Sequence, residues 1–130
     1  MIIAVDFDKT LHTGDWPDIG SPMPYAIDKM QQLCVDGHFL ILWTCREGQL
    51  LIDAINWMLL HSIPFNLINE NHPENTARYG SNSRKINADF YIDDKQVGGL
   101  PRWDEIYEEV CLMESNYKAS KDGSTSKDIG

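Results

Sequence analysis

The run Ile2-Ile3-Ala4-Val5 is uninterruptedly apolar, rich in β-branched residues, and stops at an acid, Asp6. Alternating polarity would mark a strand with one wet face. An unbroken run marks a strand buried on both faces, the kind found inside parallel sheets. Phe39 to Trp43 behaves in the same way and ends at Thr44, and Phe90 to Ile92 ends at Asp93-Asp94. Phe65 to Ile68 reads as a third, shorter strand, and a short fifth is expected near Val97 to Leu100. Between the strands lie helical patterns. Ser21-Pro22 has the chemistry of a helix start, and Met23, Ala26, Ile27, Met30, Leu33 and Cys34 mark one face up to a stop at Gly37. Gln49 to His61 carries Leu51, Ile55, Met58 and Leu59 inward. A short helix is expected near Glu74 to Tyr79. Trp103, Ile106, Tyr107, Val110, Met113 and Tyr117 define a last amphipathic helix. Strands alternating with helices predict an α/β fold, a three-layer Rossmann-like domain with a mainly parallel sheet and right-handed crossovers.

A length of 130 residues suits one domain. The pattern fills residues 1–118, read as the catalytic domain. Residues 119–130 lose all periodicity, are rich in Ser, Lys, Asp and Gly, and read as a flexible tail. The chain has 11 basic and 20 acidic residues, a net charge of −9. General nucleic-acid binding is not expected of such a chain, because phosphate backbones attract Lys and Arg. Cys34, Cys45 and Cys111 are odd in number and widely spaced, which argues against a disulfide framework or structural zinc and for buried, reduced thiols. The apolar runs are too short to span a bilayer. With no leader-like segment before the first strand, a cytoplasmic location and no membrane partner are expected.

In parallel sheets ligands bind beyond the carboxyl ends of the strands. Asp6 and Asp8, Thr44, and Asp93 with Asp94 each follow a strand and so converge on one edge. Asp6 and Asp8 taken alone fit a turn, where Asp is common. A second acid pair at an equivalent strand end favours function. Arg46, just past Thr44, reads equally as a bidentate contact to an anionic group of a substrate or as a surface arginine at a helix entry. Trp16 reads as an apolar wall beside the site or as a core residue.

These residues resemble the haloacid dehalogenase-like (HAD) superfamily, in its phosphatase branch. Asp6-Phe7-Asp8-Lys9-Thr10 matches the superfamily's Asp-x-Asp-x-Thr motif after an apolar strand. Ile41-Leu42-Trp43-Thr44 matches its strand ending in Ser or Thr, Lys85 its lysine, and Tyr91-Ile92-Asp93-Asp94 its strand ending in paired acids. The match runs in order from residue 2 to residue 94. Arg84 is the alternative to Lys85. The resemblance implies a HAD-like fold and a Mg²⁺-dependent phosphatase that hydrolyses a phosphate monoester through an aspartyl-phosphate. Asp6 would be the nucleophile and Asp8 the general acid and base. Thr44 and Lys85 would steady the phosphoryl group. The Mg²⁺ would be held by the Asp6 and Asp93 side chains and the Asp8 backbone carbonyl, and Asp94 would contact metal-bound water or Lys85. Four acids at this density suit a hard divalent cation on chemical grounds as well.

The rival functions are separable. Dehalogenase relatives lack an acid at the position of Asp8, since halide leaves without a proton. Receiver domains place their acid pair before the phosphoacceptor, the reverse of the order here. A phosphotransferase of the same superfamily, and a catalytically weak phosphate-binding regulatory module, both stay open. No segment is long enough for a cap, so a capless domain with an open site is expected. Either a large substrate or a second subunit of a homo-oligomer would then cover it.

Overall fold

The computed structural model describes residues 1–121. Strands β1 (Ile2–Val5), β2 (Phe39–Leu42), β3 (Leu67–Ile68) and β4 (Phe90–Ile92) form one sheet in the order β3-β2-β1-β4. All three pairings are parallel. Helices α1 (Ala26–Val35), α2 (Gly48–Leu60) and α3 (Pro73–Tyr79) connect successive strands, and α4 (Trp103–Ala119) follows the last. The fold is a small Rossmann-like α/β domain without a cap. Of the expected tail of residues 119–130, residues 119–121 are still helical, and residues 122–130 lie outside the described residues.

Burial on both faces explains the apolar runs. Ile3, Val5, Leu40 and Leu42 pack with Ala26, Met30 and Leu33 of α1, Ala54 and Met58 of α2, and Trp103, Ile106 and Val110 of α4. The alternate residues Ala4 and Ile41 pack on the opposite face with Ile86. Right-handed crossovers put α1 and α2 on one face while the chain moves from β1 to β3, and bring α3 across the other on the return to β4. The two layers are unequal: the α3 face has a small core, and α3 buries none of its own residues.

Other local expectations also differ from the structure. Met113 and Tyr117 of the last helix are exposed. Ser21-Pro22 does not open α1. The Ser21 carbonyl accepts from the amide and hydroxyl of Thr13, Pro22 bridges His12, and the Met23 amide donates to Leu11, so the segment runs extended before the helix begins at Ala26. Val97 to Leu100 is a turn and not a fifth strand. Gly98 and Gly99 both take positive φ (93° and 83°), which curls the chain away from the sheet. Leu59 is exposed, because α2 turns its Ala54–Met58 stripe inward. Cys34 and Cys45 are exposed as well, not buried, although all three thiols are free. Among the described residues no helix is long and apolar enough to cross a membrane.

Trp103 is fully buried, and its indole N–H donates to the Thr10 carbonyl at 2.8 Å, which ties α4 to the turn after β1. Trp103→Ala is therefore expected to destabilise the domain by about 3–5 kcal/mol. Urea midpoints compared with wild type check this, and a loss below about 1 kcal/mol would contradict close packing there.

Candidate metal and phosphoryl centre

β1 lies between β2 and β4, with Val5 opposite both Leu42 and Ile92. The order of strands reverses between β1 and β4, the switch point where parallel sheets open a crevice. Asp6 and Asp93 follow those two strands directly. One carboxylate oxygen from each of Asp6, Asp93 and Asp94 falls within 4.8 Å of the others. Pairing across the strand ends fixes this: the Asp6 amide donates to the Ile92 carbonyl at 2.9 Å.

Thr10 holds the cluster in place. It is fully buried, its hydroxyl donates to Asp6 Oδ2 at 3.0 Å, and its oxygen accepts from the Asp94 amide at 3.0 Å. One side chain thus joins the acids from the two strand ends. Asp93 Oδ1 accepts from the Lys95 amide at 3.0 Å.

Burial pushes the Asp6 carboxyl up to about 7, helped by the charge of Asp93 and the hydrogen bond shared with Asp94 and opposed by the Thr10 hydroxyl. The donors are hard oxygens, and their crowding disfavours the ionised form of Asp6. That donor set fits a hard divalent cation, which would relieve the repulsion.

Asp6 and Asp93 line a cleft of about 290 Å³ with Trp43, Thr44 and Cys45. Thr44 is set by Asn69, whose side chain accepts from the Thr44 amide at 2.8 Å and donates to its carbonyl at 2.9 Å. Asn69 itself takes a positive φ of 53°. The Thr44 hydroxyl accepts from the Arg46 amide at 3.1 Å, which orients the oxygen.

The Asp8 side chain stands outside the cluster of three. Arg46 grips it, with Nη2 2.7 Å from Oδ1 and Nε 3.0 Å from Oδ2, and His12 Nε2 lies 2.8 Å from Oδ1. Burial alone would raise the Asp8 carboxyl; the hydrogen bonds from Arg46 and His12 outweigh it and hold the group below the usual carboxylate range. Arg46 was expected at the surface or on a substrate. It is 2% exposed, and its bidentate contact is to the chain's own Asp8, with further donation to the Pro17 and Leu50 carbonyls. Its charge is needed inside because Asp8 is partly buried. Lys85 is exposed, with its ammonium 5.6 Å from the centre of the Tyr91 ring, and among the described residues it forms no ion pair with the acids. Trp16 is exposed rather than in the core.

Thr10, His12 and Asn69 are positioning groups that the sequence alone does not single out. Thr10 stood in the motif. His12 and Asn69 carry no signal, because their roles depend on the folded course of the loops that bring His12 to Asp8, Gly14 and Gly20 and Asn69 to Thr44.

The fold and site define a small capless α/β domain with an acidic centre at its switch point. The structure is similar to one described as that of a conserved protein coded by a locus from Bacteroides thetaiotaomicron. The TM-score is 0.78, with 42% sequence identity, over 87% of this chain and 91% of that one. At that identity and coverage the chain belongs to the same family as the Bacteroides protein. No protein-family model and no curated protein matches it.

Linkage gives a test. Folding raises the Asp6 carboxyl from 3.8 to about 7, so the native state binds that proton more tightly than the unfolded chain. Wild type should therefore lose stability relative to Asp6→Asn as pH rises through that window, then level off. Mg²⁺ should raise the wild-type melting temperature more at pH 8 than at pH 5. Melting curves of both proteins across this range check the trend, and the opposite slope would remove Asp6 from the crowded site.

Proposed function

We propose that this chain is a HAD-like, Mg²⁺-dependent phosphatase that hydrolyses a phosphate monoester through an aspartyl-phosphate on Asp6. The observation that carries this is the Asp6–Asp93–Asp94 cluster at the strand switch point, opening on a cleft shared with Thr44. Asp6 and Asp93 would hold the cation with the Asp8 backbone carbonyl, and Asp94 would reach it through water. When bound, Mg²⁺ supplies charge neutralisation between the acids and an incoming phosphate.

The chain's own groups do the rest. Asp6 attacks phosphorus, and the bond to the leaving oxygen breaks. Thr44 steadies a phosphoryl oxygen. Asp8 enters as a carboxylate held by Arg46 and His12, and the negative charge of a bound phosphoryl group raises its proton affinity. Protonated by the incoming monoanionic ester or by solvent, it passes that proton to the leaving oxygen and then takes one from the water that displaces Asp6 from phosphorus. Three free thiols suit a cytoplasmic enzyme.

One observation favours a second reading, a catalytically weak phosphate-binding module. Neither the Lys85 ammonium nor the Asp8 carboxylate joins the three clustered acids.

Phosphate release from p-nitrophenyl phosphate separates the two. Activity should require Mg²⁺, fall with chelator, and fall when Ca²⁺, with its looser coordination, replaces Mg²⁺. Asp6→Asn should lower kcat by at least about 10³ with the fold intact. Phosphate binding without turnover would support the regulatory module, and full activity in Asp6→Asn would exclude Asp6 as nucleophile.

Asp8→Asn should impair an alkyl phosphate more than an aryl phosphate in single-turnover assays, since an aryl leaving group needs little protonation. Equal losses would count against Asp8 as the acid.

A further inference from the structure

The loop of residues 14–20 is held more firmly than an ordinary surface turn. Gly14 and Gly20 approach so closely that a Cβ on Gly14 would lie 2.4 Å from the Gly20 nitrogen. Both glycine amides donate to Nδ1 of the buried His12, at 3.0 and 3.1 Å. Two donors on Nδ1 leave the ring proton on Nε2, the nitrogen that faces Asp8. From the other side Arg46 donates to the Pro17 carbonyl at 2.9 Å. The guanidinium carbon lies 4.9 Å from the centre of the Trp16 ring and 5.2 Å from that of Phe7.

The Trp16 indole thus rests on a buried guanidinium, on a pinched loop, yet is 57% exposed. An indole left this open forgoes a large apolar burial. Its place in the chain gives the exposure a use. Arg46 follows Cys45, which lines the cleft with Asp6 and Thr44, and Arg46 also grips Asp8, two residues past Asp6. One guanidinium thus separates the ring from Asp8, the residue assigned to the leaving oxygen. The cleft, at about 290 Å³, lies at the small end of the range for ligand pockets. A phosphate ester with a bulky alcohol would extend beyond it.

We propose that Trp16 is a specificity residue, a fixed platform on which a planar aromatic group of the leaving alcohol stacks. The substrate class is then a phosphate monoester whose alcohol carries an aromatic ring, as in a nucleoside or aryl phosphate. This rests on the phosphatase reading above. Ring stacking on an indole is sequence-tolerant and strong enough to change affinity by about tenfold or more. A platform held in place before binding loses little of that to ordering.

Two substrate pairs test it on the full chain with Mg²⁺: adenosine 5′-monophosphate against ribose 5-phosphate, and phosphotyrosine against phosphoserine. The first pair shares one leaving oxygen type and differs in the planar base. Wild type should favour the aromatic member of at least one pair through KM. Trp16→Ala should cut that preference about tenfold, and Trp16→Phe should keep most of it. In Asp6→Asn protein, the aromatic member should quench tryptophan fluorescence, and the quench should vanish on adding Trp16→Phe. Equal KM values within both pairs would overturn the proposal. So would a preference unchanged in Trp16→Ala, or a quench that survives Trp16→Phe and disappears with Trp43→Phe. A wild type that hydrolyses none of the four esters overturns the phosphatase reading, and the quench then decides for or against the platform by itself.

Discussion

The ion pair between Arg46 and Asp8 is the interaction on which the architecture of the site depends. Arg46 is fully enclosed, and a buried guanidinium is tolerable only if its donors are met. They are met by a carboxylate from the turn after β1, a carbonyl from the 14–20 loop and a carbonyl from the first turn of α2. Three separate segments are thereby fixed around one charge. A hydrophobic contact would tolerate sliding. A bidentate contact does not, and it is reinforced by His12, whose other nitrogen receives the two amides that close the loop.

The acid cluster obeys the opposite logic. Asp6, Asp93 and Asp94 are brought together by strand pairing and the Thr10 hydroxyl, and among the described residues none of the three forms an ion pair. One acid of the first motif is neutralised internally and the other is left crowded. Two carboxylates only two residues apart therefore differ sharply in environment: Asp6 is pushed up and Asp8 is held down. Such divergence lets similar groups take distinct chemical parts.

Much of the fold could be read from the chain because burial on both faces of a parallel sheet writes itself as unbroken apolar runs. The positions of Asp6, Asp93 and Thr44 followed, since a residue at the end of a strand goes where the strand goes. Local punctuation read less well. Ser21-Pro22 has the chemistry of a helix start, yet pairing with residues 11–13 prevails there. Arg46 and Asp8 could be placed at the right edge but not paired. Their union depends on the three-dimensional course of the 14–20 loop, and no periodicity encodes that. Lys85 follows a polar stretch whose path is set by Asn71, which binds Asn82, Ser83 and the Asn87 amide.

The unequal layers of the sheet have a consequence for how the molecule opens. One face carries most of the buried core, whereas the other is covered by a segment whose helix, α3, buries nothing of its own. That segment is held together internally by the contacts of Asn71 with Asn82, Ser83 and Asn87, and it packs on the sheet through Ile86. Its amides are expected to form a separate, weaker cooperative unit, exchanging hydrogen with water while β1, β2 and the helices of the other face stay closed. Such an opening would uncover Ala4 and Ile41 and leave the hydrogen bond between Thr10 and Asp6 in place. The domain can therefore breathe on one side while its acidic centre keeps its shape.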